Sequence, residues 1–229
     1  MSDLPVCVVL GVGPGNGAAF ARAFAAAGYR VALLARSTEL SSELERTLPG
    51  SRAFSCDAGD PASIARAFAE IRASLGEPAT IIYNAGTGAF GGLDKVDVAA
   101  FESAWRVNAL GAFAVAKELS PSTQALVFVG ATASRRGGPN TTAFAPAKAA
   151  QRSLAESLAR QLWPKGVHVG LLILDGVVDL PRTRKMLPDK PDSFFLHPDD
   201  VAAAALSLVR QPRGAWSFEL EVRPFGETW

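Results

Sequence analysis

The sequence predicts an α/β fold, a doubly wound parallel sheet of about seven strands with helices on both faces. Three observations carry that prediction. Short apolar runs alternate with stretches of helical period along the whole chain. Most of those runs are apolar at every position, the mark of strands buried on both faces. The first run passes directly through a glycine-rich turn into a helix. A length of 229 residues suffices for one sizeable core and demands no second, so residues 1–229 read as a single domain.

In chain order, the strand runs fall at 6–10, 30–35, 53–56, 80–83, 125–129, 167–174 and 217–222. Between the first two, Phe20, Ala23, Phe24 and Ala27 recur at i, i+3, i+4 and i+7, and Gly28 stops the helix they define, giving a βαβ unit. After the third strand, Asp60 reads as an N-cap and Pro61 as the first helical residue, with Ile64, Phe68, Ile71 and Leu75 on one face. Further helices are predicted over 97–118, 144–162 and 198–209, whereas 176–197 shows no convincing period. No repeat, low-complexity tract or linker interrupts the pattern.

Charge and cysteine content narrow the classes of function. With 23 basic and 22 acidic residues, no field of one sign draws the chain to nucleic acid or an anionic membrane, so a small, discrete ligand is expected. The opening Met1-Ser2-Asp3-Leu4-Pro5 lacks a basic segment and the apolar run 6–10 is too short for a signal or a span, which predicts a cytoplasmic protein. Cys7 and Cys56 lie in strand-like contexts without metal or disulfide spacing, and His168 and His197 share no ligand pattern. No metal is expected; the histidines read as strand core and helix cap.

The loop Gly11-Val12-Gly13-Pro14-Gly15-Asn16-Gly17 joins the first strand to the first helix. There, unpaired backbone N–H groups and the helix dipole face one point, and glycine lets a pyrophosphate approach. This arrangement predicts a dinucleotide site on a Rossmann-type sheet; the alternative is a tight turn without a ligand. An acidic residue ending the second strand would bind the 2′-hydroxyl of NAD, but the sequence there is Ala35-Arg36-Ser37. The Arg36 guanidinium can pair with a 2′-phosphate and Ser37 can add a hydroxyl, which favours NADP over NAD; the alternative is a solvated Arg36.

These residues resemble the short-chain dehydrogenase/reductase family, whose loop reads Thr-Gly-x-x-x-Gly-x-Gly: Gly11, Gly15 and Gly17 match, and Leu10 replaces the threonine. The resemblance runs through almost the whole chain. It implies that Asp57, in Cys56-Asp57-Ala58, contacts adenine together with Ala58, and that Asn84-Ala85-Gly86 lines the adenosine and ribose. It further implies that the backbone of Asn108 helps hold a water near the active-site lysine, and that Lys148 is that lysine, which holds the nicotinamide ribose. A homodimer or homotetramer is implied as well, with the helices ending near Glu118 and Leu162 packed across a twofold axis and a tail contact from Trp229.

The residues that move protons depart from the family pattern. The tyrosine four residues before the lysine is Phe144, and the serine about 13 residues before it is Ala131. Thr132 and Ser134 are the nearest hydroxyls; each could polarise a substrate oxygen or simply cap a turn. General acid catalysis of the kind lost at Phe144 is typically worth roughly 10²- to 10⁴-fold in rate. The Pro-Gly beside the nicotinamide becomes Asp175-Gly176, where Asp175 reads as a turn former or as an acid/base. Residues 176–197 correspond to the substrate loop; Arg182, Arg184, Lys185, Arg135 and Arg136 suggest an anionic substrate, although Asp179, Asp189 and Asp192 interleave with them.

Two functions follow. One is NADP(H)-dependent hydride transfer between nicotinamide and a carbonyl or alcohol, with Asn108, Thr132, Ser134, Phe144 and Lys148 around the reacting group and Thr132, Ser134 or water in place of the tyrosine. The cofactor would rest on Gly11, Pro14, Gly15, Asn16, Gly17, Arg36, Ser37, Asp57, Ala58, Asn84, Ala85, Gly86, Lys148 and Gly176. The other is a dinucleotide-binding protein without turnover, a redox sensor or partner subunit.

Overall fold

In the computed structural model, which describes residues 4–227, the seven apolar runs form one parallel sheet. Its strands are β1 (Val6–Leu10), β2 (Arg30–Ala35), β3 (Arg52–Ser55), β4 (Pro78–Tyr83), β5 (Ala125–Ala131), β6 (His168–Leu174) and, after a separate two-stranded ladder of β7 (Val177–Val178) and β8 (Phe195–Leu196), β9 (Glu219–Val222). The order β3-β2-β1-β4-β5-β6-β9 runs outward from β1 in one direction and then from β4 in the other. Their carboxyl ends therefore open a crevice between β1 and β4, where ligands bind in sheets of this type. Met1, Ser2, Asp3, Thr228 and Trp229, the last with the predicted tail contact, lie outside the described residues.

Side-chain alternation divides the core into two layers. Val6, Val8 and Leu10 face Ile64, Phe68 and Ile71 of α3 (Pro61–Ser74) and Val115 of α5 (Gly111–Lys117). Cys7 and Val9 face Phe20 and Phe24 of α1 (Asn16–Ala26) and Val201 and Leu208 of α8 (Pro198–Val209). Each such fully buried side chain contributes about 1.5–3 kcal/mol of apolar transfer free energy, which is why β1 carries no polar residue. The predicted start of α3 is present: Asp60 accepts a hydrogen bond from Ala62 N–H at 3.0 Å, ahead of Pro61.

Three segments differ from the sequence-based expectation. A helix absent from it, α2 (Glu39–Thr47), buries only Ser41 and Leu44, a stripe too narrow to read as a period. The predicted helix over 97–118 divides into α4 (Val98–Trp105) and α5, joined by a π-helical turn at Arg106–Leu110. There the buried Tyr83 hydroxyl donates to Val107 O, and a Cβ on Gly111 would overlap Ala58 O and the Tyr83 hydroxyl. The helix widens where it meets β4, and helical periodicity does not register that contact. The 176–197 segment is ordered by side chains rather than by period. It holds β7, β8 and α7 (Pro181–Met186), and Arg184 bridges Asp179 and Asp192, each at 2.6 Å, with its guanidinium 4.1 Å from the Phe195 ring centroid.

Candidate active site

The loop between β1 and α1 crosses the carboxyl ends of the strands. Gly11 has φ +99°, a conformation that favours glycine, and a Cβ there would overlap the backbone of Asn84 and Ala85. A Cβ on Gly17 would likewise collide with Gly11 O, so loop and helix can pack this closely only without side chains. Asn84 Nδ2 donates to Gly11 O at 2.7 Å and ties the loop to the end of β4. The first turn of α1 contains no acidic residue and no side-chain cap; Ala18 N–H bonds Gly13 O at 3.0 Å, which leaves the N–H groups of Asn16 and Gly17 for a ligand. Asn16 Oδ1 is buried without a hydrogen-bond partner at the same place.

Two contiguous clefts, sharing Asn84 and Gly86, extend from this loop. The first, about 380 Å³, is lined by Gly11, Gly13, Arg36, Asp57, Ala58 and the Asn84-Ala85-Gly86 segment, so these predicted contacts are brought together. Arg36 is exposed and makes no ion pair among the described residues. Asp57 shapes its own turn, accepting from Gly59 N–H at 2.8 Å. Pro14 and Ser37 are solvent-facing neighbours that do not line this cleft.

The second cleft, about 320 Å³, lies between β5, β6 and the start of α6 (Phe144–Leu162). Its walls include Asn16, Ala131, Phe144, Lys148, Gly176 and Arg182. Phe144 packs against Phe90 with ring centroids 5.2 Å apart. No hydroxyl-bearing side chain and no carboxylate is among the described residues lining it. Lys148 is buried and donates to Val129 O at 2.8 Å and to Gln151 Oε1 at 3.1 Å. Burial alone pulls its ammonium down from 10.5 to about 7, because no carboxylate compensates the lost hydration.

Thr132 and Ser134 stand apart from this group. The Thr132 hydroxyl donates to Asp175, and Ser134 Oγ accepts from Ala131 N–H at 3.1 Å, buried behind β5. Asp175 is neither an exposed turn residue nor part of the Lys148 cleft. Its buried carboxylate pairs with Arg223 and lies 3.7 Å from Arg136, tying the ends of β5, β6 and β9 together. Arg135 is paired with Glu219 and Glu221, and Arg184 is consumed as described, so of the predicted cationic group only Arg182 lines the cleft.

Asn108 sits beneath the cleft, fully buried on the π turn. Its Nδ2 donates to Thr87 O at 3.0 Å and Ala104 O at 2.9 Å, while its Oδ1 has no partner. The carbonyl that the family resemblance assigns to a water accepts Gln151 Nε2 at 3.0 Å. Sequence reasoning missed Gln151, although a polar residue three positions after Lys148, on the face that also buries Ala147, Ala155 and Ala159, was a usable signal. His168 and His197 remain outside both clefts: the first bonds Ser217 O at 2.9 Å within β6, the second lies 3.3 Å from Asp179 at the start of α8. A larger cavity, about 650 Å³, lies at the opposite ends of the strands around Gln124, His168 and Trp216. It contains neither the glycine loop nor Lys148, so volume does not locate the site here.

A seven-stranded parallel sheet, a glycine loop at its topological switch point and a buried lysine beside the loop define a dinucleotide-dependent class. Comparison with known proteins agrees. Residues 11–212 match the family described as enoyl-(acyl carrier protein) reductase. The chain is 30% identical over 184 residues to the 3-oxoacyl-[acyl-carrier-protein] reductase MabA of Mycobacterium tuberculosis, covering 78% of this chain and 71% of that one. A short-chain dehydrogenase from Rhodopseudomonas palustris superimposes with a TM-score of 0.80 at 30% identity, covering 96% and 99% of the two chains. An alcohol dehydrogenase from the archaeon Thermococcus sibiricus, complexed with 5-hydroxy-NADP, gives 0.87 at 25% identity and 99% coverage of both. The chain belongs to the short-chain dehydrogenase/reductase family, and its relatives are oxidoreductases.

Proposed function

We propose that this chain is an NADP(H)-dependent oxidoreductase that transfers a hydride between the nicotinamide and a carbonyl or alcohol, with a proton source other than a tyrosine. The glycine cradle, the uncapped start of α1 and the orphaned Asn16 Oδ1 fit the cofactor. The exposed, unpaired Arg36 fits a 2′-phosphate, and the archaeal relative was obtained with an NADP derivative. In this reading the whole chain is one dinucleotide-binding domain, with 176–197 as its substrate loop. When bound, the cofactor supplies or accepts the hydride. Lys148 would hold the nicotinamide ribose from behind, and Gly86 and Gly176 would leave room beside it. The observation that carries the reading is a cleft lined by Lys148 and, among the described residues, by no hydroxyl or carboxylate side chain. The proton is then left to water, or to Lys148 itself, which changes charge near neutrality. Arg182, lining the same cleft without a carboxylate partner among the described residues, supports an anionic substrate.

Phe144 and Ala131 support a second reading, a cofactor-binding protein without turnover. NADPH oxidation is measured against a panel of carbonyl compounds, including oxo acids and their esters, for the native chain, Lys148→Ala, and Phe144→Tyr combined with Ala131→Ser. Native turnover that Lys148→Ala abolishes removes the second reading; turnover seen only in the double variant removes the first. NADPH should bind more tightly than NADH, with the difference erased in Arg36→Ala; equal affinities in the native chain would sink the NADP assignment.

A homodimer or homotetramer is part of this proposal, supported by the exposed Phe101 and Trp105 on α4 and Phe113 on α5. So is a cytoplasmic setting, supported by Cys7 and Cys56, both buried and unpaired, whose thiols burial keeps protonated. Among the described residues no helix is long and apolar enough to cross a membrane.

A further inference from the structure

The geometry points to Gln151 as a positioning residue that holds the Lys148 ammonium with its carbonyl and ties it to the Asn108 carbonyl through its amide. The inference deepens the proposed function, since it rests on Lys148 as the residue that holds the cofactor.

Gln151 lies one turn beyond Lys148 on α6 and is fully buried. Its Oε1 accepts from Lys148 Nζ at 3.1 Å, and its Nε2 donates to Asn108 O at 3.0 Å. That carbonyl belongs to the π turn, where Gly111 N–H reaches back to Arg106 O and the widened helix faces α6. Val129 O takes a second Lys148 proton at 2.8 Å. An ammonium has three protons, so one remains, and the small Gly86 leaves space beside it: a Cβ there would stand 3.6 Å from Nζ. Two fixed acceptors from the protein thus aim the third N–H into the cleft.

The Gln151 amide meets each neighbour with a fixed role, acceptor to the lysine and donor to the carbonyl, and so orients the ammonium it holds.

Two variants and two readouts test the assignment. Among the described residues the charged side chains lining the cleft are Lys148 and Arg182, with no carboxylate, so a carboxylate introduced at 151 has no competitor there. In the cofactor-free protein, NMR titration of ¹³C-labelled lysine should show the Lys148 midpoint rising by at least one pH unit in Gln151→Glu. In Gln151→Leu, NADPH dissociation measured by fluorescence should weaken about tenfold, the worth of one hydrogen bond to a charged group. A purely structural amide would lower the melting temperature of both variants and leave NADPH affinity in Gln151→Leu native, because a carboxylate at 151 raises the Lys148 midpoint by its charge alone. An unmoved midpoint in Gln151→Glu, or native NADPH affinity in Gln151→Leu where Lys148→Met binds weakly, overturns the inference. If Lys148→Met binds NADPH as the native chain does while the midpoint still moves, Gln151 keeps its role and the cofactor role of Lys148 is what fails.

Discussion

Lys148 ties the stability of the fold to pH through its burial. Its ammonium is held at about 7 rather than 10.5 by burial, so between those values the unfolded chain binds more protons than the native one. The stability this group contributes is therefore lowest and constant below about pH 7, and rises with pH up to about 10.5. Comparison with Lys148→Met cancels the other titrating groups. We predict that, from pH 7.5 to 9.5, the native chain gains on the variant by roughly 1.4 kcal/mol per pH unit in urea unfolding. A difference that stays constant over that range would show that Lys148 titrates normally. At the same scale, Phe144 and Ala131 were legible from spacing alone, because the lysine sets the register from which both are counted. The environments of Thr132, Ser134 and Asp175 were not legible: whether a hydroxyl faces a cleft or a neighbouring strand depends on side chains up to 43 residues away, as Thr132 and Asp175 show.

Among the elements, the π turn between α4 and α5 has the most consequence for the site. Gly111 lets the helix lie directly on Ala58 O and the Tyr83 hydroxyl, and Val107 and Asn108 within the turn bond to β4 and α6. Gly111→Ala sets two effects against each other. Helix propensity favours alanine by about 1 kcal/mol, but overlap with a backbone carbonyl costs about 1–3 kcal/mol or more and cannot be relieved by a rotamer change. The overlap wins. We expect a net loss of about 2 kcal/mol in chemical denaturation, accompanied by weaker NADPH binding as the turn shifts Asn108 and with it Gln151. A variant as stable as the native chain would mean that the turn relaxes freely. Sequence periodicity recovered the long apolar helices and all seven strands of the main sheet, because each buries a stripe or run that repeats. It missed α2, whose buried stripe is two residues, and the ordered 176–197 segment, which is held by the Arg184 ion pairs and a short β7–β8 ladder.

At the scale of the whole molecule, three exposed aromatic side chains lie along α4 and α5. Phe101, Trp105 and Phe113 are 43%, 45% and 50% exposed along α4 and α5, next to the π turn. An oligomer built on this face would bury them and stiffen the turn beneath Lys148. Light scattering should find the native chain as a dimer or tetramer, and Trp105→Glu with Phe113→Glu as a monomer with weakened NADPH affinity. A native monomer at micromolar concentration would remove the proposed assembly.

The sequence by itself determined the strand runs, the glycine loop, Arg36, Lys148, and Phe144 and Ala131 at the positions where the family resemblance expects Tyr and Ser. These are local or evenly spaced features, set by backbone sterics and by the periods of helix and strand. Only the tertiary structure decided which hydroxyls stay away from the cleft, that Asp175 is locked to Arg223 and Thr132, and that Gln151 joins Lys148 to Asn108. Those contacts join residues from different elements, and which donor meets which acceptor is settled by how the layers pack, information that no single stretch of chain contains.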